Sequence, residues 1–136
     1  MLKAREILKN AENIVVIGAS NNKIKAAHRI PKYLQDTGYN VIPVNPNSDE
    51  VLGVKSYKSI SEIPEDIKID IVDIFRPSKD ISALMPEIIK RFKKVKDIKL
   101  VWLQEGIHSK EAKELCKENG IEFIQGICIY KVHASI

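Results

Sequence analysis

Ile14-Val15-Val16-Ile17-Gly18-Ala19-Ser20-Asn21-Asn22 is the stretch from which the architecture follows. Four consecutive apolar, mostly β-branched residues stop abruptly at Gly-Ala-Ser, and small polar and basic residues follow. A run without polar alternation suits a strand covered on both faces, as in a parallel sheet. A glycine directly after it lets the chain turn closely, and the next loop is where such sheets receive phosphate groups. Val41-Ile42-Pro43-Val44-Asn45-Pro46 has the same form, an apolar run ending on polar residues. In open α/β sheets ligands sit beyond the carboxyl ends of the strands.

Outward from these two runs, strands and helices alternate. Strands are predicted at Asn13–Ile17, Asn40–Val44, Ile69–Phe75, Lys99–Leu103 and Glu122–Gln125, all rich in Val and Ile. Asp70 and Asp73 place the third of these at a sheet edge, and their spacing sends them to opposite faces rather than into a carboxylate pair. Leu2 to Ala11 reads as a short helix. Asp80 to Lys93 reads as the clearest helix, with Ile81, Leu84, Met85, Ile88, Ile89 and Phe92 on one face and Ser78 as its cap. A further helix runs from Ser109, its N-cap, to Asn119, ended by Gly120. Ser59-Ile60-Ser61-Glu62 matches a capping box that Pro64 limits to about one turn. The first crossover helix carries Pro31, which is tolerated best in a first turn, so it is expected to begin near Ala27 or His28 after a long loop, with a proline-kinked longer helix as the alternative. The pattern predicts one α/β domain over residues 1–136: a Rossmann-like three-layer fold with a five-stranded parallel sheet in the order 3-2-1-4-5.

The totals narrow the function. A chain of 136 residues buries roughly two-thirds of its unfolded surface, enough for a real core. The charge of +4 suits an anionic ligand, and the one dense basic run, Lys90 to Lys96, reads as a solvated helix end rather than a nucleic-acid site. Cys116 and Cys128 make no disulfide framework and no C-x-x-C. No signal peptide and no run of about 18 apolar residues is present, so the cytoplasm is expected, with no membrane partner.

Within the loop, Gly18 brings backbone N–H groups near an anion, Ser20 and Asn21 add side-chain donors, and Lys25 and Arg29 add positive charge. The dinucleotide fingerprint is absent, since Ser20 and Lys23 stand where its glycines would be. Asn45-Pro46-Asn47 stands where an acidic ribose ligand would follow the second strand, which disfavours NAD. No Walker motif occurs. A phosphate-rich adenine ligand remains.

Seven markers in order then show a family likeness: Val16-Ile17-Gly18-Ala19-Ser20, Tyr33-Leu34 with Gly38-Tyr39, Val41 to Pro46, Glu50-Val51-Leu52-Gly53, Ile71 to Arg76, Val101 to Gly106, and Cys128 with His133. The chain resembles, over about residues 10 to 135, the small stand-alone CoA-binding proteins, whose domain also occurs in succinyl-CoA synthetase alpha subunits and acyl-CoA synthetases. The resemblance implies coenzyme A or an acyl-CoA across the carboxyl edge of the sheet. It would place Gly18, Ala19 and Ser20 around the pyrophosphate, and Asn45 and Pro46 beside the adenosine. Phe75 and Arg76 would form the other wall, and Gln104 and Gly106 would close the site. Lys25 stands where the family usually has arginine, Lys23 for proline, Ala27 for serine, and Ile127 for the arginine before the cysteine. Arg29 or Lys23 would compensate.

No catalytic constellation can be assembled. His28 and His133 lack an evident partner, His108 reads as solvated, and no histidine pair has metal-ligand spacing. Cys116 and Trp102 read as core, and Cys128 as a half-buried cysteine near the ligand thiol rather than a reactant. The expected role is a carrier, sensor or regulatory protein. The alternatives are an enzyme using an NADP-type nucleotide or nucleotide sugar, and a subunit docking with a separate acyl-CoA synthetase part. A homodimer or that synthetase part are the protein partners left open.

Overall fold

A computed structural model describes all 136 residues. Seven strands and five helices follow in chain order: α1 (Leu2–Asn10), β1 (Asn13–Ile17), α2 (Ala26–Asp36), β2 (Asn40–Val44), β3 (Glu50–Val51), β4 (Val54–Lys55), β5 (Ile71–Ile74), α3 (Ser78–Val95), β6 (Leu100–Leu103), α4 (Lys110–Glu118), β7 (Glu122–Ile124) and α5 (Ile129–Ala134). Five strands form one parallel sheet in the order β2-β1-β5-β6-β7, and β3 and β4 form a small antiparallel pair. The fold is Rossmann-like α/β, as the alternation of elements implied. No helix is long and apolar enough to cross a membrane.

Alternating side chains give the sheet two cores. Val15, Ile17, Val72 and Ile74 face α3 and α4, meeting Ile81, Met85, Ile88, Ala112 and Cys116. Ile14, Val16, Ile71 and Trp102 face α1, α2 and α5, meeting Leu8, Leu34, Ile129 and Val132. This explains why the strands read as unbroken apolar runs.

The strand order departs from expectation. Counted among the five sheet strands, it is 2-1-3-4-5, not 3-2-1-4-5. The third, β5, lies at the centre between β1 and β6 rather than at an edge. Its two aspartates caused the misplacement, and each has a local reason to be there. Asp70 precedes the strand and accepts the N–H groups of Glu12 and Asn13, 2.9 and 3.0 Å away, fixing the entry of β1. Asp73 is wholly buried between Val16 and Trp102 and accepts a hydrogen bond from Gln104. The chain still reverses direction beside β1, so the topological switch point lies at the carboxyl ends of β1 and β5.

Helix α2 begins at Ala26 and keeps Pro31 in its second turn. Proline cannot bond the carbonyl four residues back, here Ala27. That carbonyl accepts the Ser20 N–H instead, at 3.0 Å, so the proline turns a helix defect into an anchor for the loop after β1. Two expected caps take other forms. Ser59 and Ser61 bond each other across a short 3-10 turn, Ile60–Glu62, that no side chain caps. Ser78 is the first residue of α3 and accepts from the His108 N–H. Ser109 caps α4 as expected, accepting from Ala112 N–H at 3.1 Å.

Candidate functional site

At the carboxyl end of β1, Gly18 adopts φ +91°, and a Cβ there would lie 2.5 Å from the Phe75 carbonyl oxygen. Only glycine meets both conditions. This close approach brings the β1 loop against the turn after β5 and sets Arg76 at the junction. Two cavities open on either side of Arg76, which lines both. One, about 140 Å³, lies towards β2 and is bordered by Gly18, Val44, Pro46, Lys58 and Ser59. The other, about 320 Å³, lies towards β6 and is bordered by Ala26, Ala27, Ile30, Phe75, Gln104 and Cys128. The rim of the sheet therefore carries a cleft in two parts with a cation between them; both parts have mixed walls, the smaller one including Ile17, Ile60, Leu84 and Ile88. A larger groove of about 420 Å³ lies elsewhere, between the 3-10 turn and α3. Its buried Arg91 is consumed by structure: it pairs with Asp97 at 3.1 Å and donates to the carbonyls of Ile63, Pro64 and Ile67.

The loop between β1 and α2 is tied down at several points. Gly18 N–H donates to Val44 and Ser20 N–H to Ala27, so neither amide is free for an anion. Asn45 donates from Nδ2 to the Ala19 carbonyl and accepts the Asn47 N–H, joining the ends of β1 and β2. Asn21 reaches across to the Glu50 carbonyl at 2.9 Å. His28 donates from Nδ1 to the Ser20 carbonyl at 2.7 Å, since a carbonyl can only accept. Ser20 Oγ accepts the Asn22 N–H. The N–H groups of Ala19, Asn21 and Lys23 have no partner in the protein, and further unpaired amides lie one step on. Ala26 and Ala27 open α2, no side chain caps them, and no acidic residue sits in the first turn. Such a helix start attracts anions through unsatisfied N–H groups and the helix dipole. Both residues line the larger cavity beside Arg76.

The structure gathers Gly18, Pro46, Phe75, Arg76 and Gln104 around the two cavities. Ala19 is buried and supports the loop through its carbonyl. Lys25, at the N-cap of α2, and Arg29, on its first turn, are exposed and make no ion pair. Gly106 turns at φ +82° on the exposed surface and lines neither cavity. Arg76 donates to Asp80 Oδ2 at 3.0 Å, while its Nε is buried without a partner. Sequence reasoning missed Lys58 and Ser59, which reach the cleft from the segment after β4. It also missed α5, whose N-cap is Cys128. Lys58 carried no local signal, because its place at the rim depends on the neighbouring Tyr57 pairing with the end of β2. No group of three or more His, Cys, Asp or Glu side chains could hold a metal. Cys116 is inert, its thiol pushed up to about 12 by burial.

A family model described as a CoA binding domain matches residues 12–134. The chain belongs to the CoA-binding domain family. It is 38% identical over 130 residues to the uncharacterized protein YneT of Bacillus subtilis, covering 96% of this chain and 91% of that one. It is also 32% identical to the alpha subunit of acetate–CoA ligase [ADP-forming] II of Pyrococcus furiosus. That match covers 93% of this chain but 29% of the ligase subunit. A solved structure from Thermus thermophilus, cell-free ID.343, superposes with a TM-score of 0.89 at 32% identity, covering 98% of this chain and 96% of that one. The family assignment agrees with the order of markers along this CoA-binding domain, and residues from five of the seven, Gly18, Pro46, Arg76, Gln104 and Cys128 among them, line the cleft.

Proposed function

We propose that this protein is a single-domain, cytoplasmic binder of coenzyme A or an acyl-CoA, acting as a carrier, sensor or regulatory protein. The observation that carries the reading is a CoA-binding-domain match over residues 12–134 coinciding with a cleft split by Arg76. The diphosphate lies at Arg76 and the uncapped start of α2, with Lys25 and Arg29 supplying further charge. The adenosine occupies the end bordered by Pro46, with Asn45 holding the loop in place. The pantetheine arm runs past Phe75 into the cavity closed by Gln104 and Cys128. Gly18 and Ser20 fix the path of the loop around the diphosphate, and Ala19 and Asn21, whose N–H groups have no partner in the protein, supply amides to it. Gly106 supports the turn that carries Gln104.

The test is a thermal-shift series with CoA, dephospho-CoA, NAD and NADP. A ligand at about 100 times its Kd adds roughly 2.7 kcal/mol of stability. CoA is expected to raise the melting temperature and NAD to leave it unchanged. A shift with NADP and none with CoA refutes the reading. A second reading, docking onto a separately encoded synthetase part, draws on the likeness to 29% of a ligase alpha subunit. Co-purification with such a part from the source cell, dependent on CoA, is its test.

A further inference from the structure

The centre of the sheet holds a buried carboxyl among apolar neighbours. Asp73 is 0% exposed, faces Val16 and Trp102 across the neighbouring strands, and leaves Oδ2 without any hydrogen-bond partner. An apolar residue would suit these surroundings better, because a buried carboxyl with an orphaned oxygen costs stability. Its other oxygen, Oδ1, accepts from Gln104 Nε2 at 2.5 Å. Gln104 in turn accepts, through Oε1, the N–H of Ile129 at 3.2 Å. A backbone N–H can only donate, so Ile129 fixes which way the Gln104 amide points, and Nε2 must meet an acceptor on the strand side. Asp73 supplies it. Gln104 and Cys128, the residue before Ile129, together line the 320 Å³ cavity. The chain Asp73–Gln104–Ile129 thus joins the central strand to the first turn of α5 beside the larger cavity.

We propose that Asp73 is a positioning residue for the thiol-bearing arm of the ligand: through Gln104 it sets the cavity wall that the arm meets. The inference rests on the CoA reading above. Burial pushes the Asp73 carboxyl up to about 8, with the hydrogen bond from Gln104 pulling the other way, so the neutral acid is the main form at pH 7. An amide is then a close mimic, whereas an aliphatic side chain leaves Gln104 Nε2 without an acceptor.

The experiment compares Asp73→Leu and Asp73→Asn with the wild type. Binding of CoA and of adenosine 3′,5′-bisphosphate, which lacks the arm, is measured by calorimetry. Asp73→Leu is expected to weaken CoA about tenfold, the loss that one misplaced hydrogen-bond partner causes, and to leave the bisphosphate unchanged. Asp73→Asn restores CoA binding to within about twofold of wild type. If Asp73→Leu binds CoA as tightly as wild type, or a folded Asp73→Leu loses both ligands equally, the proposal is overturned. Failure of Asp73→Asn to restore CoA binding overturns it too. If Asp73→Leu does not fold, Asp73→Ser, too short to reach Gln104, replaces it with the same outcomes. If wild type binds CoA but not the bisphosphate, CoA affinity of the folded variants alone decides. A wild type that binds no CoA refutes the underlying reading instead, so the two failures are distinct.

Discussion

Replacing Gly18 by alanine tests the contact that builds the cleft. Two costs apply. The backbone stands at φ +91°, where a Cβ costs about 1–2 kcal/mol. The new Cβ also lies 2.5 Å from the Phe75 carbonyl oxygen, inside any normal contact. Phe75 cannot simply retreat, because its own N–H donates to Ile17 at 2.8 Å and continues the ladder between β1 and β5. Forcing the two segments apart adds about 1–3 kcal/mol, typical of an overpacked site. Gly38 provides the control: it stands at φ +109°, and nothing lies within 4 Å of the place an alanine methyl would take, so Gly38→Ala carries only the backbone cost. The difference between the two variants therefore isolates the Phe75 contact at about 1–3 kcal/mol. Urea unfolding followed by circular dichroism measures both, and at roughly 4 °C per kcal/mol the combined cost of about 2–5 kcal/mol makes Gly18→Ala melt about 8–20 °C below wild type. Gly18→Ala also displaces the Phe75–Arg76 wall, so ligand affinity falls with stability. Equal losses in the two variants would refute the reasoning, since the close approach of β1 and the β5 turn would then contribute nothing.

Further predictions concern Pro31, Asp73 and Arg91. Pro31→Ala restores a helix N–H that competes for the Ala27 carbonyl, so hydrogen exchange at the Ser20 amide accelerates about tenfold, the equivalent of one lost hydrogen bond; unchanged protection at Ser20 counts against the anchor. The folded Asp73 carboxyl titrates near 8 against an ordinary value near 3.8, so the native state holds its proton more tightly than the unfolded chain does. Its contribution is complete below about pH 4 and declines as pH rises towards 8; Asp73→Asn should therefore gain on wild type across that window in urea midpoints, and parallel pH profiles contradict it. Arg91→Leu strands the buried Asp97 carboxylate and three loop carbonyls and should cost about 3–5 kcal/mol by the same measurement.

Much of this was legible in the residues alone. Asn13–Ile17 and Asn40–Val44 form strands with the expected bounds, because compact Val/Ile runs ending on polar residues leave little ambiguity. Ser109 caps α4, since a serine before a periodic apolar face has one obvious use. The departures have a common cause. Asp73 looks like an edge residue until Gln104, 31 positions away, arrives to bond it. Pro31 put the start of α2 within two residues of Ala26, but the Ser20 N–H that takes up the carbonyl it abandons was not visible in the sequence. Loop amides at Gly18 and Ser20 look available for an anion until Val44 and Ala27 claim them. In each case a polar group was judged by its near neighbours, while its partner came from a distant element.

Local chemistry therefore sufficed for the alternation of elements, the parallel sheet, the glycine turn after β1 and the family, because hydrophobic period and turn residues act over a few positions. Strand order, the pairing of buried polar groups, the free amides at the head of α2, and the arrival of Lys58 at the rim came only with packing. These depend on which distant groups desolvate together, and that is a property of the assembled chain.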